Sequence, residues 1–538
     1  MTMRPLRVAF RVDASRAIGT GHVRRCLALA QALKKIDAQI FFVCRRHDNV
    51  SSHLIPTDEN CLWLEDSLQT DFNADEAPPT PHSSWGGVAW QQDADQTLDV
   101  LKSNLADWLV VDHYAWDKRW HQRVTSALAI RLLVIDDLAD RSISADALLD
   151  QNLHPDHLSK YQDCIDFKNR QTRFITGPRH ALLSEKYSLA SRYQFSKVVE
   201  SIGIFMGGAD QDDLSTKVLL ACREIADFKG HITLVSSLQS PHYQTHVLLA
   251  AKWPHTQIVH DLPDLSSFFA SHDLQIGTGG GAAWERSCIG VPTLAVIAAL
   301  NQQAVLPQLA DLNAVRVIEL SNTQSSMQAF GTAVADLIAS TESREKLALE
   351  SSRLVDGRGS ERVANVLALS SACELALRPA MLTDASLLLE WFNESQTRQN
   401  AFNADQITRP AHTEWLRKKL ANKNSCQLYI AQTKSGMPLG MIRFDRDVST
   451  NRKPDHELWW LSYSVDVSFR GLGVARVLVD QGIERLAGEV VGAFVVKALV
   501  KTSNTASRKI FSRLSFTESY SEHMDQAVCG FHKLVRSA

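Results

Sequence analysis

The chain has 538 residues, enough for about three domains. Hydrophobic residues make up 45% and charged residues 22%, the proportions of a globular protein. A net charge of −3 gives no electrostatic reason to expect nucleic acid or an anionic membrane as partner.

No basic segment precedes an apolar run at the N-terminus, so no signal peptide is expected. No apolar run reaches the roughly 18 residues that a bilayer requires. The nine cysteines are odd in number and scattered, without a C-x-x-C pair. That predicts reduced thiols in a cytoplasmic protein and argues against a disulfide frame or zinc site.

The stretch Arg7 to Ala30, RVAFRVDASRAIGTGHVRRCLALA, reads as strand, loop, helix. Val8, Phe10 and Val12 alternate with more polar residues up to Asp13. Gly19 and Gly21 allow a tight backbone path. From His22 the spacing turns helical, with Val23, Cys26, Leu27, Ala30 and Leu33 on one face. Ligands bind where strands of an α/β sheet leave at their carboxyl ends. Asp13 and His22 both fall there. A helix N-terminus disfavours imidazolium, and a general base near pH 7 must be neutral. A solvated or capping histidine is the alternative reading of His22.

Strands are expected at Ala38 to Cys44, Asp107 to Asp112 and Arg131 to Asp136, with helices at Gln92 to Leu105 and from Asp117. The acidic, Pro-rich DFNADEAPPTP reads as a surface loop. Asp112, His113 and Tyr114 follow one strand end, and Asp136 and Asp137 the next. Of the latter pair Asp136 is the candidate, with a turn cap as the alternative. Asp150 to Phe195 bridges to a second unit, with a turn at Thr176 to Arg179.

The alternation then restarts. Ser201 to Met206 is a strand, with Gly207, Gly208 and Asp210 in its exit loop and Asp212 or Asp213 as helix cap. His231 to Ser236 and Gln257 to His260 continue it. Leu274 to Glu285, LQIGTGGGAAWE, runs from strand through Gly277, Gly279, Gly280 and Gly281 into a helix. Successive glycines let backbone N–H groups approach a pyrophosphate, and Glu285 one turn on can accept both ribose hydroxyls. The first 370 residues therefore read as two Rossmann-like halves with a ligand cleft between them.

From Leu375 a different pattern begins. Strands are expected at Gln427 to Thr433, Gly440 to Phe444, Leu458 to Val465 and Val495 to Val500. Arg470-Gly471-Leu472-Gly473-Val474-Ala475 stands between a strand and the helix Arg476 to Leu486, where backbone amides can wrap a pyrophosphate. Another helix covers Ala506 to Leu514.

Three resemblances add to these readings. VDAS-x3-GTGH-x2-RC resembles the opening of the UDP-sugar hydrolases of pseudaminic acid biosynthesis, in patches over roughly the first 360 residues. This implies a two-lobed fold of GT-B type, with His22 as catalytic base, Asp13 and Tyr114 orienting sugar or His22, and Gly19 and Gly21 at the substrate. It also implies that Gly207, Gly208, Gly279, Gly280, Gly281, Glu285, Asn301 and Gln302 hold the UDP-sugar, without a metal. Gly281 and Ala282 stand where that family often carries a hydroxyl residue.

The Arg470 motif with NTASRKIFSRLSF resembles the GNAT acetyltransferases. It implies a mixed sheet flanked by helices that binds acetyl-CoA through Val465, Arg470, Gly471, Gly473, Val474, Ala475 and Asn504. Phe511 stands where many such enzymes place an acidic tyrosine. His412, His456 and Glu457 are the candidate bases.

WFN and HTEWL resemble the acetyltransferase of the same sugar pathway, which acetylates a UDP-4-amino sugar. The implied domains are residues 1–195, 196–370 and 374–538. The implied partners are UDP-amino sugar, acetyl-CoA and water, with other enzymes of the pathway open. Three readings compete with hydrolysis of the altro-configured sugar: a glycosyltransferase, a non-catalytic UDP-sugar-binding module, and the same two activities on a gluco-configured sugar.

Overall fold

The computed structural model describes residues 4–47, 54–56, 59–65, 80–165, 171–208, 210–238, 240–321, 323–448, 456–523 and 526–536, and only the backbone of 300, 301, 520–523 and 526. It divides into two compact units, Met1–Ala364 and Asn365–Ala538.

The first unit carries two parallel sheets. One is built from β1 (Arg7–Val12), β2 (Gln39–Arg45), β3 (Cys61–Leu64), β4 (Trp108–Asp112), β5 (Arg131–Ile135), β6 (Ala147–Asp150) and β7 (Arg173–Thr176). Their order is β3-β2-β1-β4-β5-β6-β7. Helices cover both faces, so the inner strands read as near-continuous apolar runs, and every residue of β4 is buried.

The second sheet uses β8 (Ser201–Phe205), β9 (His231–Val235), β10 (Thr256–Val259), β11 (Leu274–Thr278), β12 (Thr293–Val296) and β13 (Arg316–Ile318), in the order β10-β9-β8-β11-β12-β13. In each sheet the order reverses beside its first strand, between β1 and β4 and between β8 and β11. Connections diverge at such a point and leave a crevice at the strands' carboxyl ends.

The second unit is a mixed sheet of β14 (Ala376–Pro379), β15 (Cys426–Gln432), β16 (Pro438–Arg446), β17 (Glu457–Val465), β18 (Phe494–Lys501), β19 (Thr517–His523) and β20 (Gln526–Val535). Their order is β14-β15-β16-β17-β18-β20-β19. β17 and β18 are parallel and pair only through Glu457 to Trp460 with Phe494 to Lys497. Beyond Trp460 the two strands separate and open a wedge.

The two expected Rossmann-like lobes and the expected mixed sheet flanked by helices are what the chain forms. Sequence periodicity missed β3, β6, β7, β13, β19 and β20. ALLD, RFIT and RVI are too short to display a period. Much of the expected acidic loop, residues 71–79, lies outside the described residues. All nine cysteines are free. Among the described residues, no helix is long and apolar enough to cross a membrane.

Candidate active sites

The helix Gly21–Lys34 starts at the first crevice and carries His22, whose ring is buried beside the carboxyl end of β4. His22 Nδ1 lies 2.6 Å from Asp112 Oδ1. Arg25, one turn on and on the same helix face, donates to both Asp112 oxygens at 2.5 Å. Burial works against the Asp112 charge, but Arg25 and His22 outweigh it and hold the carboxyl well below the usual range. An ionised Asp112 accepts the Nδ1 proton and leaves the lone pair on Nε2.

Aromatic rings enclose the imidazole. Tyr114 meets it edge-on at 4.7 Å and Trp85 at 6.3 Å, and His82 packs on Trp85 at 4.5 Å. The Tyr114 hydroxyl donates to Asp137 Oδ1. Asp137 and Asn152, at the carboxyl ends of β5 and β6, are joined by Asn152 Nδ2 to Asp137 Oδ2 at 3.1 Å.

Asp13 is placed elsewhere. It is fully buried and accepts from Arg11 Nη1 at 2.6 Å and the Arg45 amide at 2.7 Å. Its other oxygen lies 3.3 Å from His113 Nε2 and 3.4 Å from His47 Nε2. Burial raises its pKa, yet Arg11, His113 and His47 hold it well below the usual carboxylate range. Asp13 thus organises a charge cluster beneath the loop, and Asp112 is the carboxylate on His22. Asp136 is likewise taken up internally, by Arg141 Nη1 at 2.6 Å and the Ala139 amide at 2.9 Å. Strand residues alternate in direction. Of the adjacent pair, Asp136 takes the turn-cap role that the sequence left open and Asp137 is the one that meets Tyr114.

At the first crevice Gly19 has φ of +79°, and a Cβ on Gly19 or Gly21 would meet nothing within 4 Å. The second crevice has the same character. Gly207 has φ of +99°, and side chains on Gly207, Gly208 or Gly281 would enter open space. Gly280 caps the helix Gly281–Ile289, so free N–H groups face this space.

Gly279 is different. A Cβ there would lie 2.7 Å from Leu306 Cγ, and its amide already donates to Gln302 Oε1 at 3.2 Å. Gly279 is a packing glycine. Gln302 also accepts from the Ala298 amide at 2.9 Å and ties two loops together. The Asn301 side chain lies outside the described residues. Glu285 is half-buried; burial raises its pKa against the opposing hydrogen bond from Tyr187 and the charges of Arg286 and Arg24.

Arg286 escaped the sequence reading. It is 1% exposed, its Nη2 donates to the Thr278 carbonyl under the glycine loop, and Nε and Nη1 lack partners among the described residues. Burial lowers its pKa to about 10. Asp210, Asp213 and His246 bring three potential metal-ligand atoms within 4.8 Å of one another. Both Asp210 oxygens accept from the Leu214 and Ser215 amides, and Asp213 holds His246 at 2.8 Å, so the group caps the helix Leu214–Leu220.

In the second unit the loop after β17 carries Gly471 and Gly473 at φ of +77° and +81°. Gly473 caps the helix Val474–Ala487, and a Cβ on it would meet nothing within 4 Å. Val465 ends β17 beside the wedge, and Val474 and Ala475 open the helix.

Comparison with known proteins separates the two units. Residues 374–517 match the family model of the acetyltransferase (GNAT) domain. This part of the chain is similar to the GNAT acetyltransferase domains. Over 272 residues the chain is 24% identical to the spore coat polysaccharide biosynthesis protein SpsG of Bacillus subtilis, covering 50% of this chain and 78% of the relative. Over 214 residues it is 25% identical to the UDP-2,4-diacetamido-2,4,6-trideoxy-beta-L-altropyranose hydrolase of Campylobacter jejuni, covering 40% of this chain and 64% of that relative. A crystal structure of MurG from Acinetobacter baumannii aligns at a TM-score of 0.48 with 13% identity, over 68% of this chain and 99% of that one.

In the GNAT domain the Arg470 guanidinium turns inward. It donates to Glu394 and Gln396 at 2.6 Å and to the Val465 carbonyl at 3.1 Å. Arg470 braces the loop, and the backbone amides after it are the groups that present N–H donors. Asn504 caps the helix Thr505–Arg513 through the Ser507 amide at 3.1 Å. Phe511 is 1% exposed and packs on Phe516 and Phe531. Of the candidate bases, His412 is buried against Trp415, and Glu457 accepts from Arg446 at 2.5 Å. His456 is exposed just before β17.

Proposed function

We propose that the chain is a bifunctional nucleotide-sugar enzyme. Its first unit hydrolyses UDP from UDP-2,4-diacetamido-2,4,6-trideoxy-β-L-altrose, and its GNAT domain acetylates the 4-amino group of the precursor. The observation that carries the hydrolase is the Asp112–His22 pair at the first crevice, 2.6 Å apart. The relatives' names supply the substrate class.

In this reading His22 Nε2 takes a proton from water. The water oxygen attacks the anomeric carbon, and the C1–O bond breaks with its electrons going to the diphosphate of UDP. Attack from the face opposite UDP inverts the centre. Asp112 fixes the tautomer beforehand and stabilises the imidazolium afterwards. Tyr114, Trp85 and His82 wall the sugar site. The amides at Gly280 and Gly281, with those of Gly207 and Gly208, take the diphosphate. Glu285 takes the ribose hydroxyls, and the buried charge of Arg286 offsets that of the phosphates.

The GNAT domain's glycine loop and the wedge between β17 and β18 suit a long cofactor with a pyrophosphate. Gly471, Gly473, Val474 and Ala475 would hold that pyrophosphate, with Val465 and Asn504 along the wedge. Acetyl-CoA supplies the acyl group there.

Product analysis by NMR tests both activities. The protein is incubated with acetyl-CoA and the UDP-4-amino-altrose, beside His22→Ala. Free diacetamido sugar and UDP from the wild type, with acetylated UDP-sugar accumulating in the variant, is the expected result. Acetylation without UDP release from either protein overturns the hydrolase assignment. No acetylation overturns the acceptor assignment.

A further inference from the structure

The nucleotide loop and His22 belong to different sheets, and a line of side-chain hydrogen bonds joins them. Trp284 lies on the first turn of the helix Gly281–Ile289 and is 2% exposed. Its indole N–H donates to Asn152 Oδ1 at 3.2 Å. Asn152 Nδ2 donates to Asp137 Oδ2 at 3.1 Å, and Asp137 Oδ1 accepts from the Tyr114 hydroxyl. Arg25 Nη2 donates to that hydroxyl at 3.4 Å and grips Asp112, which holds His22.

Each link meets a donor with an acceptor, and the donors point toward Asp137 from both sides. Asp137 is its pivot, because each of its two oxygens serves one neighbour. The backbone beneath is pinned as well. Lys160 Nζ donates to the Asp137 carbonyl at 2.8 Å, and the Asn152 amide donates to Asp150 Oδ1 at 2.9 Å.

We propose that Asp137 and Asn152 are positioning residues that couple occupancy of the nucleotide loop to the alignment of Tyr114 and the Asp112–His22 pair. The proposal rests on the UDP-sugar hydrolase reading. A diphosphate at the N-terminus of the helix Gly281–Ile289 fixes that helix, and the Trp284 indole is fixed with it. Directional bonds through Asn152 and Asp137 then orient the Tyr114 hydroxyl and Arg25. Energetic coupling between sites travels through such packed and hydrogen-bonded contacts.

A double-mutant cycle tests this, with Trp284→Phe and Asp137→Asn. The first removes the N–H and keeps an aromatic ring, though a smaller one, at this buried position. The second leaves one side-chain oxygen for two donors. Two quantities are read for each protein: kcat for UDP release, and the Kd for UDP by calorimetry. Each single variant is expected to lower kcat about fivefold, the worth of one hydrogen bond. The double variant should lose no more than either alone, because the path is already cut.

Effects that multiply to about 25-fold would show independent sites and overturn the coupling. So would single variants with unchanged kcat. If the wild type releases no UDP, the hydrolase reading fails on its own, and the cycle in UDP affinity decides the coupling: additive changes overturn it, non-additive ones support it. Should Trp284→Phe fail to fold, Asn152→Ala cuts the same path and replaces it in the cycle.

Discussion

Replacing Asp112 by asparagine changes one atom in a fully buried position and separates two roles of the carboxylate. Its oxygens accept from His22 at 2.6 Å and from Arg25 at 2.5 Å. An amide has one accepting oxygen and one donating nitrogen. If the nitrogen faces His22, it needs a lone pair on Nδ1 and drives the ring proton to Nε2, removing the base. If it faces Arg25, two donors oppose each other. Either way the Arg25 side chain, 12% exposed, loses its counter-charge.

Removing one partner of a buried ion pair costs about 3–5 kcal/mol of stability. Loss of the tautomer should lower kcat by about 1,000-fold, or roughly 4 kcal/mol of transition-state stabilisation. The assay is UDP release per folded molecule, with Tm measured alongside. Asp93→Asn provides the comparison. Asp93 is equally buried and accepts from Arg11 at 2.6 Å and Arg45 at 2.9 Å, away from His22. It should lose comparable stability and keep kcat within about threefold. An Asp112→Asn protein that retains kcat within threefold, or an Asp93→Asn protein that loses as much as Asp112→Asn, would refute the assignment of Asp112 to His22.

Other expectations follow from the same geometry. Gly280→Ala should leave Tm unchanged and raise the UDP Kd, whereas Gly279→Ala should cost about 1–3 kcal/mol because its Cβ meets Leu306 at 2.7 Å. Arg286→Met should weaken UDP binding measured by calorimetry, with little loss of fold, since methionine fills the space beneath the loop without the charge. In the GNAT domain Gly473→Ala, at φ of +81°, should strain the loop by about 1 kcal/mol and raise the KM for acetyl-CoA.

Burial raises the Asp150 carboxyl to about 6 against the opposing charge of Lys160. The folded state therefore holds this proton more tightly than the unfolded chain. The stabilisation is complete below the usual carboxylate pKa of about 4 and is lost as pH rises through about 6. Tm of Asp150→Asn relative to wild type should rise across that window. Asp112 contributes with the opposite sign, at pH values below the ordinary carboxylate range.

Sequence by itself determined the broad outline: two lobes of alternating strands and helices, a third domain with another rhythm, and the position of His22, the glycine loops and the Arg470 motif at strand exits. These features are local. Periodicity, glycine spacing and helix starts depend on neighbours within a few positions, and they survive in a linear text.

Tertiary structure decided which of several adjacent polar residues does what. Asp13 and Asp136 turn into charge clusters, while Asp112 meets His22 and Asp137 meets Tyr114. Gly279 packs on Leu306, while Gly280 and Gly281 border open space. Arg470 braces Glu394 instead of standing free, and Asn152 meets Trp284 from 132 positions away. Each outcome hangs on strand register and on contacts between residues far apart in the chain. A one-residue change in register turns a side chain to the other face, and nothing in the neighbouring residues records which face the crevice will occupy.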